Sequence, residues 1–155
     1  MKQDEALKHS HVSLNQILRH YIVLDIDYAG GALAYEEIGL EPTIIISNPW
    51  NAHAHLFFEL KSPVAFSENA RTKPQDFYRA VNRGMIAAMG ADPCYAGFIA
   101  KNPLSDRWRV TCCDVRYDLG DIIEYCDPID LLGNALAGEG RNSDLFNQVR
   151  FWAYR

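Results

Sequence analysis

Two aspartates separated by one residue, Asp25 and Asp27, follow the apolar run Tyr21-Ile22-Val23-Leu24. That run is partly β-branched and reads as a buried strand. Side chains alternate along a strand, so both carboxylates fall on one face. Like charges a few ångströms apart repel unless a cation or hydrogen-bond donors compensate them. Carboxylate oxygens suit a hard divalent ion, Mg²⁺ or Mn²⁺. A solvated strand end or a helix cap is the plainer use of the same pair.

A second group lies in His53-Ala54-His55. On a strand from about His53 to Leu60, His53, His55, Phe57 and Glu59 share one face, and Ala54, Leu56, Phe58 and Leu60 share the other. Two histidines at this spacing can ligate zinc or donate to phosphate oxygens, and both uses stay open. Asp114 leaves a further strand, Trp108 to Cys113. Two-metal phosphoryl transfer needs carboxylates from several strands, and Asp114 is the third member by position. Lys101 stands where a strand meets a turn, and Arg71 and Lys73 precede a helix. Each is a candidate phosphate contact or a solvated surface charge.

These residues need a sheet to hold them. Residues 14–19 read as a short helix or an irregular lead-in. Ala29-Gly30-Gly31 breaks the first strand, and a helix over Ala32 to Ile38 ends at Gly39. Thr43 to Ser47 forms a second buried strand. The turn Asn48-Pro49-Trp50-Asn51 makes the third strand its antiparallel neighbour, and Lys61-Ser62-Pro63 ends it. Phe77, Val81, Met85 and Met89 stripe a helix from about Pro74 to Met89, with Gly90 as its C-terminal glycine. Leu119, Ile122, Ile123 and Cys126 share a helical face. Leu145, Val149 and Trp152 stripe a last helix from Ser143, which meets the end of the chain without a cap. The expected organisation is a lead-in at 1–20, a catalytic core at 21–130 and, at 131–155, the start of a helical element that continues in the natural protein.

At 155 residues and a net charge of −5, the chain fits one domain with a core of its own. The charge is uneven: the balance is −4 over 1–66, +3 over 67–116 and −4 over 117–155. A basic middle beside an acidic centre permits phosphate binding next to a metal. No apolar run approaches the ~20 residues of a membrane span, and no signal-peptide core precedes the first strand, so the expected location is cytoplasmic. Cys94, Cys112, Cys113 and Cys126 lack C-x-x-C spacing and read as reduced, small apolar residues. There is no Walker loop and no G-x-S-x-G elbow.

The order of these features resembles the replicase family of plasmid replication initiators, of the colicin-plasmid type, within the archaeo-eukaryotic primase superfamily. The resemblance rests on Ile22 to Asp27, Asn51 to Leu60, Ala70 to Pro74, Gly90 to Pro93 with Gly97, Lys101-Asn102-Pro103, Gly140-Arg141-Asn142 with Leu145-Phe146, and Arg150 to Tyr154. Ser105 departs from the pattern, standing where the family often has a histidine. The resemblance implies an α+β fold with a mixed or antiparallel sheet, the small primase palm. It implies that Asp25 and Asp27 are paired metal ligands, with Asp114 as third carboxylate and Glu59 as its alternative. His55, with His53 as a neighbour and Lys101, Arg71 and Lys73 as cations, would contact nucleotide phosphates. The expected activity is primer synthesis from nucleoside triphosphates on a DNA template with Mg²⁺ or Mn²⁺. Host replication proteins are expected partners and no membrane is involved. Origin recognition would lie beyond this chain. The rival readings are a metal-dependent nuclease and a non-catalytic DNA-binding module.

Overall fold

A computed structural model of the chain describes Glu5 and residues 8–129. The helix expected from Ser143 lies outside the described residues. The fold is α+β with antiparallel sheets. Six strands, β1 (His11–Ser13), β2 (Leu18–Ile26), β3 (Ile44–Ser47), β4 (Ala54–Ala65), β5 (Ile99–Lys101) and β6 (Arg109–Cys112), form two sheets. The larger has the order β2-β4-β3-β6, and the smaller pairs β1 with β5. All these pairings are antiparallel.

The alternation expected of β2 and β4 divides the protein into two cores. Ile22, Leu24, Ile26, Leu56, Phe58 and Leu60 are buried on one face. Against them packs α1 (Thr72–Met89), whose stripe of Phe77, Val81, Met85 and Met89 is buried. Burying each such side chain is worth about 1.5–3 kcal/mol. Gly90 closes α1 at φ 61°, a left-handed conformation that glycine adopts without steric cost. The other face carries Val23, Phe57 and Ile46, covered by Ala100 of β5 with Leu14, Tyr95 and Trp108 around them.

Several boundaries differ from the sequence expectation. The 14–19 segment is neither helical nor irregular throughout: the Asn15 side chain accepts from the amides of Ile17 and Leu18, and β2 starts at once. β4 does not stop at Lys61-Ser62-Pro63. By Pro63 it has outrun β3, whose last pair is Ile44 with Phe57, so a missing N–H on that side costs no ladder bond. The segment from Gly31 to Glu37 is a 3-10 helix. The helix after Asp118, α2 (Leu119–Ile122), is a single turn, closed by the reciprocal capping of Asp118 and Asp121. Ile122 and Cys126 are nonetheless buried, with Leu119 and Ile123 packed beside them.

Candidate active site

The register of β2 on β4 places Asp25 directly opposite His55 and Ile26 opposite Ala54. Asp27 and His53 follow at the same end. His55 Nε2 lies 3.0 Å from Asp25 Oδ1, and His53 Nδ1 lies 3.1 Å from Asp27 Oδ1. Each carboxylate of the D-x-D therefore has its own histidine from H-x-H. The inner pair is enclosed, with the His55 side chain 4% and Asp25 17% exposed, whereas Asp27 is 58% exposed.

His55 is fixed from both sides. The Lys101 amide donates to its Nδ1 at 3.1 Å, which leaves the proton of the neutral ring on Nε2, facing Asp25. The Tyr95 ring packs 5.1 Å from the imidazole, and the Tyr95 hydroxyl donates to the Ile99 carbonyl. Burial, then the Asp25 charge, pushes the Tyr95 phenol far up. Lys101 is buried, with Nζ 3.8 Å from Asp25 Oδ1 and 5.9 Å from the Trp108 ring centre. Burial lowers its pKa, opposed by the charges of Asp25 and Asp27. The buried Asn102 holds this corner by donating to the His9 carbonyl at 2.8 Å, while its amide donates to the Ser10 carbonyl.

A third carboxylate comes from the turn after α1. The Asp92 amide donates to the Asp25 carbonyl at 2.8 Å, which fastens this turn to the end of β2. Asp25, Asp27 and Asp92 each offer an oxygen, and these atoms lie within 4.8 Å of one another. Burial pushes the Asp25 carboxyl up, but the contact with His55 and the positive charge around it, that of Lys101 included, override it and hold it below its ordinary value. Although His55 and Lys101 are close, Asp25 Oδ1 is buried and accepts no well-aligned hydrogen bond. A buried carboxylate oxygen without a directed donor, beside two further carboxylates, fits a hard divalent cation.

Residues 1–126 match the Replicase family. The chain belongs to the Replicase family. Its fold is similar to that of the AEP domain of the cyanophage S-2L primase-polymerase, PrimPol, with a TM-score of 0.53 and 16% sequence identity. That likeness covers 70% of this chain and 60% of the cyanophage chain. No curated protein matches the chain. The family is one of replicases, and the fold is of the kind found in that primase-polymerase domain. No helix among the described residues is long and apolar enough to cross a membrane.

In this Replicase-family chain Asp25, Asp27, His53, His55 and Lys101 converge, but the other expected site residues do not join them. Val110 shares the Asp25–His55–Ile46 row, and β6 then runs away from it through Cys112, opposite Ile44. Because β6 is antiparallel to β2, Asp114 leaves the sheet at the end where β2 enters, and it is exposed. Glu59, the alternative, is four residues along β4 from His55, about 13 Å, and pairs with Arg116 at 3.2 Å. Arg71 and Lys73 stand at the start of α1, whereas Asp92 follows its end. The eighteen residues of the helix, about 27 Å, separate Arg71 from Asp92, and Lys73 lies in its first turn.

Asp92 was missed, although a carboxylate two residues beyond a helix-ending glycine was visible in Gly90-Ala91-Asp92-Pro93. Tyr95 and Trp108 gave no signal beyond aromatic character. Ser105, at the family's histidine position, is buried and accepts from the Arg107 amide.

Proposed function

We propose that this chain is a template-directed nucleotidyltransferase that builds a primer from nucleoside triphosphates on DNA. Asp25, Asp27 and Asp92 would hold divalent cations, Mg²⁺ or Mn²⁺. The observation that carries this reading is the convergence of these three carboxylates beside the buried His55–Lys101 corner. Such ions, when bound, activate an attacking hydroxyl and neutralise a leaving pyrophosphate.

The chain's own residues supply position and charge. His55 orients Asp25 through Nε2 and is itself held by the Lys101 amide. Lys101 Nζ offers a compact positive charge at the buried edge of the carboxylates, where a phosphate oxygen would be less screened than in water. His53, a third exposed beside Asp27, would be a second contact for an entering triphosphate. Apolar packing of Val23, Ile46, Phe57 and Ala100 beneath these groups keeps them from relaxing into the sheet.

The test is incorporation of labelled nucleotides on a single-stranded template, with and without Mn²⁺. Product that requires template, triphosphate and metal together supports the proposal. Cleavage of DNA without triphosphates would replace it with a nuclease, and DNA binding without incorporation would replace it with a binding module.

A further inference from the structure

Arg19, near the start of β2, is a half-buried cation. Among the described residues no carboxylate forms an ion pair with it. Its guanidinium carbon lies 3.9 Å from the centre of the Phe66 ring, 5.1 Å from Phe98 and 5.3 Å from Tyr78. The Tyr78 hydroxyl donates to the Tyr21 carbonyl, and Arg19 Nε is buried with no partner among the described residues. Buried charges are ordinarily paired, because desolvation without compensation is costly. Aromatic faces compensate a guanidinium only in part.

The same residue lines a cavity of about 170 Å³, with Asn15, His20, Tyr78, Gly97 and Phe98. At ~30 Å³ per water in the liquid, that is space for a phosphate group and part of its sugar. A guanidinium held between aromatic faces presents its fork in a fixed orientation, which suits a phosphate of a single strand lying in the cavity. Two connections tie the cavity to the carboxylate site. β2 runs from Arg19 to Asp25, six residues and about 20 Å. The segment from Asp92 passes Tyr95 and reaches Phe98, whose carbonyl accepts the Leu14 amide at 2.8 Å.

We infer that this cavity is a backbone subsite for the single-stranded DNA template, with Arg19 as its phosphate contact. It lies about 20 Å from the carboxylates along β2. The inference rests on the nucleotidyltransfer reading, since it takes the strand to be one whose templating base is at Asp25.

The experiment measures binding of a fluorescent 12-nucleotide DNA to the full chain over a range of salt concentrations. Loss of one phosphate contact lowers the slope of log affinity against log salt by about 0.7, and Arg19→Met is expected to do so. Because Arg19 packs on three rings, a second variant leaves that packing alone. Ser13→Glu places a carboxylate on the exposed cavity rim and should give the same loss of slope. Thr111→Glu, on the far edge strand β6, carries the same charge change and should not. A neutral methylphosphonate linkage moved along the strand should weaken wild-type binding at one position and have no effect there in Arg19→Met. An unchanged slope in Ser13→Glu, or equal losses in Ser13→Glu and Thr111→Glu, would overturn the subsite while leaving the catalytic reading intact. Failure of the wild type to bind DNA at all would overturn both.

Discussion

His55 stands directly across β2 and β4 from Asp25, its Nε2 3.0 Å from Asp25 Oδ1 while its Nδ1 takes the Lys101 amide. His53 and Asp27 repeat the contact one pleat further out, in the open. Equal spacing in sequence thus becomes unequal burial, and the two histidines are not equivalent.

Their substitutions should differ in kind. His55→Ala leaves the buried Lys101 amide without an acceptor, which costs about 1–3 kcal/mol. It also frees Asp25, and loss of a group that orients a metal ligand typically weakens metal affinity or activity ~10–100-fold. His53→Ala should move stability by no more than ~0.5 kcal/mol, as exposed positions do. Denaturant melts and Mn²⁺ titrations of both variants check this. Equal losses would point to a zinc site shared by the histidines, and metal analysis would find the zinc.

Among the carboxylates, Asp92→Asn should reduce nucleotide incorporation together with Asp25→Asn and Asp27→Asn, with all three variants folded. Asp114→Asn should retain wild-type synthesis, because Asp114 leaves the opposite end of the sheet. Arg71→Ala should leave the KM for triphosphate unchanged from its place at the start of α1. A loss in Asp114→Asn equal to that in Asp25→Asn would remove Asp92 from the site.

The strand carrying Asp25 and Asp27, the facing strand with His53 and His55, and α1 with its four-residue stripe were legible because each rests on a local period. The Asp114 expectation rested on sheet direction, which no local pattern encodes: an antiparallel β6 sends its end away from β2, and a parallel one would have brought it close. The extent of β4 was hidden because Pro63 is excluded only where a neighbour needs its N–H. Residues 8–20 showed no helical stripe and no long strand run. It is the pairing of β1 with β5, His11 opposite Lys101, and the bonds of Asn102 to His9 and Ser10 that make them part of the site's support.

Gly84 is another position whose importance is tertiary. It lies in the middle of α1, where alanine is normally better by about 1 kcal/mol. A Cβ there would run into the Asp127 carbonyl oxygen and press on Pro128, and both are backbone. The Ile129 amide also donates to the Ala80 carbonyl at 3.0 Å. Gly84→Ala should therefore destabilise by about 1–3 kcal/mol net, the usual cost of overpacking. A thermal midpoint raised by the substitution would mean the 127–129 segment does not sit on α1.

The cysteines give a chemical check on burial. Burial, with a smaller contribution from the Asp127 charge, pushes the Cys126 thiol up to about 12. Only the thiolate is alkylated, so at pH 8 its reactive fraction would be about 10⁻⁴. Cys94 and Cys112 are exposed and should react with iodoacetamide first. Mass spectrometry of the time course should find Cys126 labelled only after denaturant is added.

Lys101 separates the two roles a buried cation can play beside carboxylates. Its Nζ is 3.8 Å from Asp25 Oδ1 with the side chain 9% exposed, so it competes with any ion placed on the same oxygen. Lys101→Met keeps an unbranched chain one atom shorter and removes the charge. Removing one partner of a buried ion pair leaves the other less compensated, so the metal-free variant should lose stability and regain it when Mn²⁺ is added. The variant should bind Mn²⁺ more tightly, by roughly tenfold, well within the Coulomb energy of charges about 4 Å apart at a partly buried site. At the same time the KM for triphosphate should rise, because the phosphate loses its fixed positive partner. The two measurements move in opposite directions only if Lys101 faces both ligands. Weaker Mn²⁺ binding in Lys101→Met would instead mean that Lys101 serves to hold Asp25 in place, and the phosphate contact would have to come from His53.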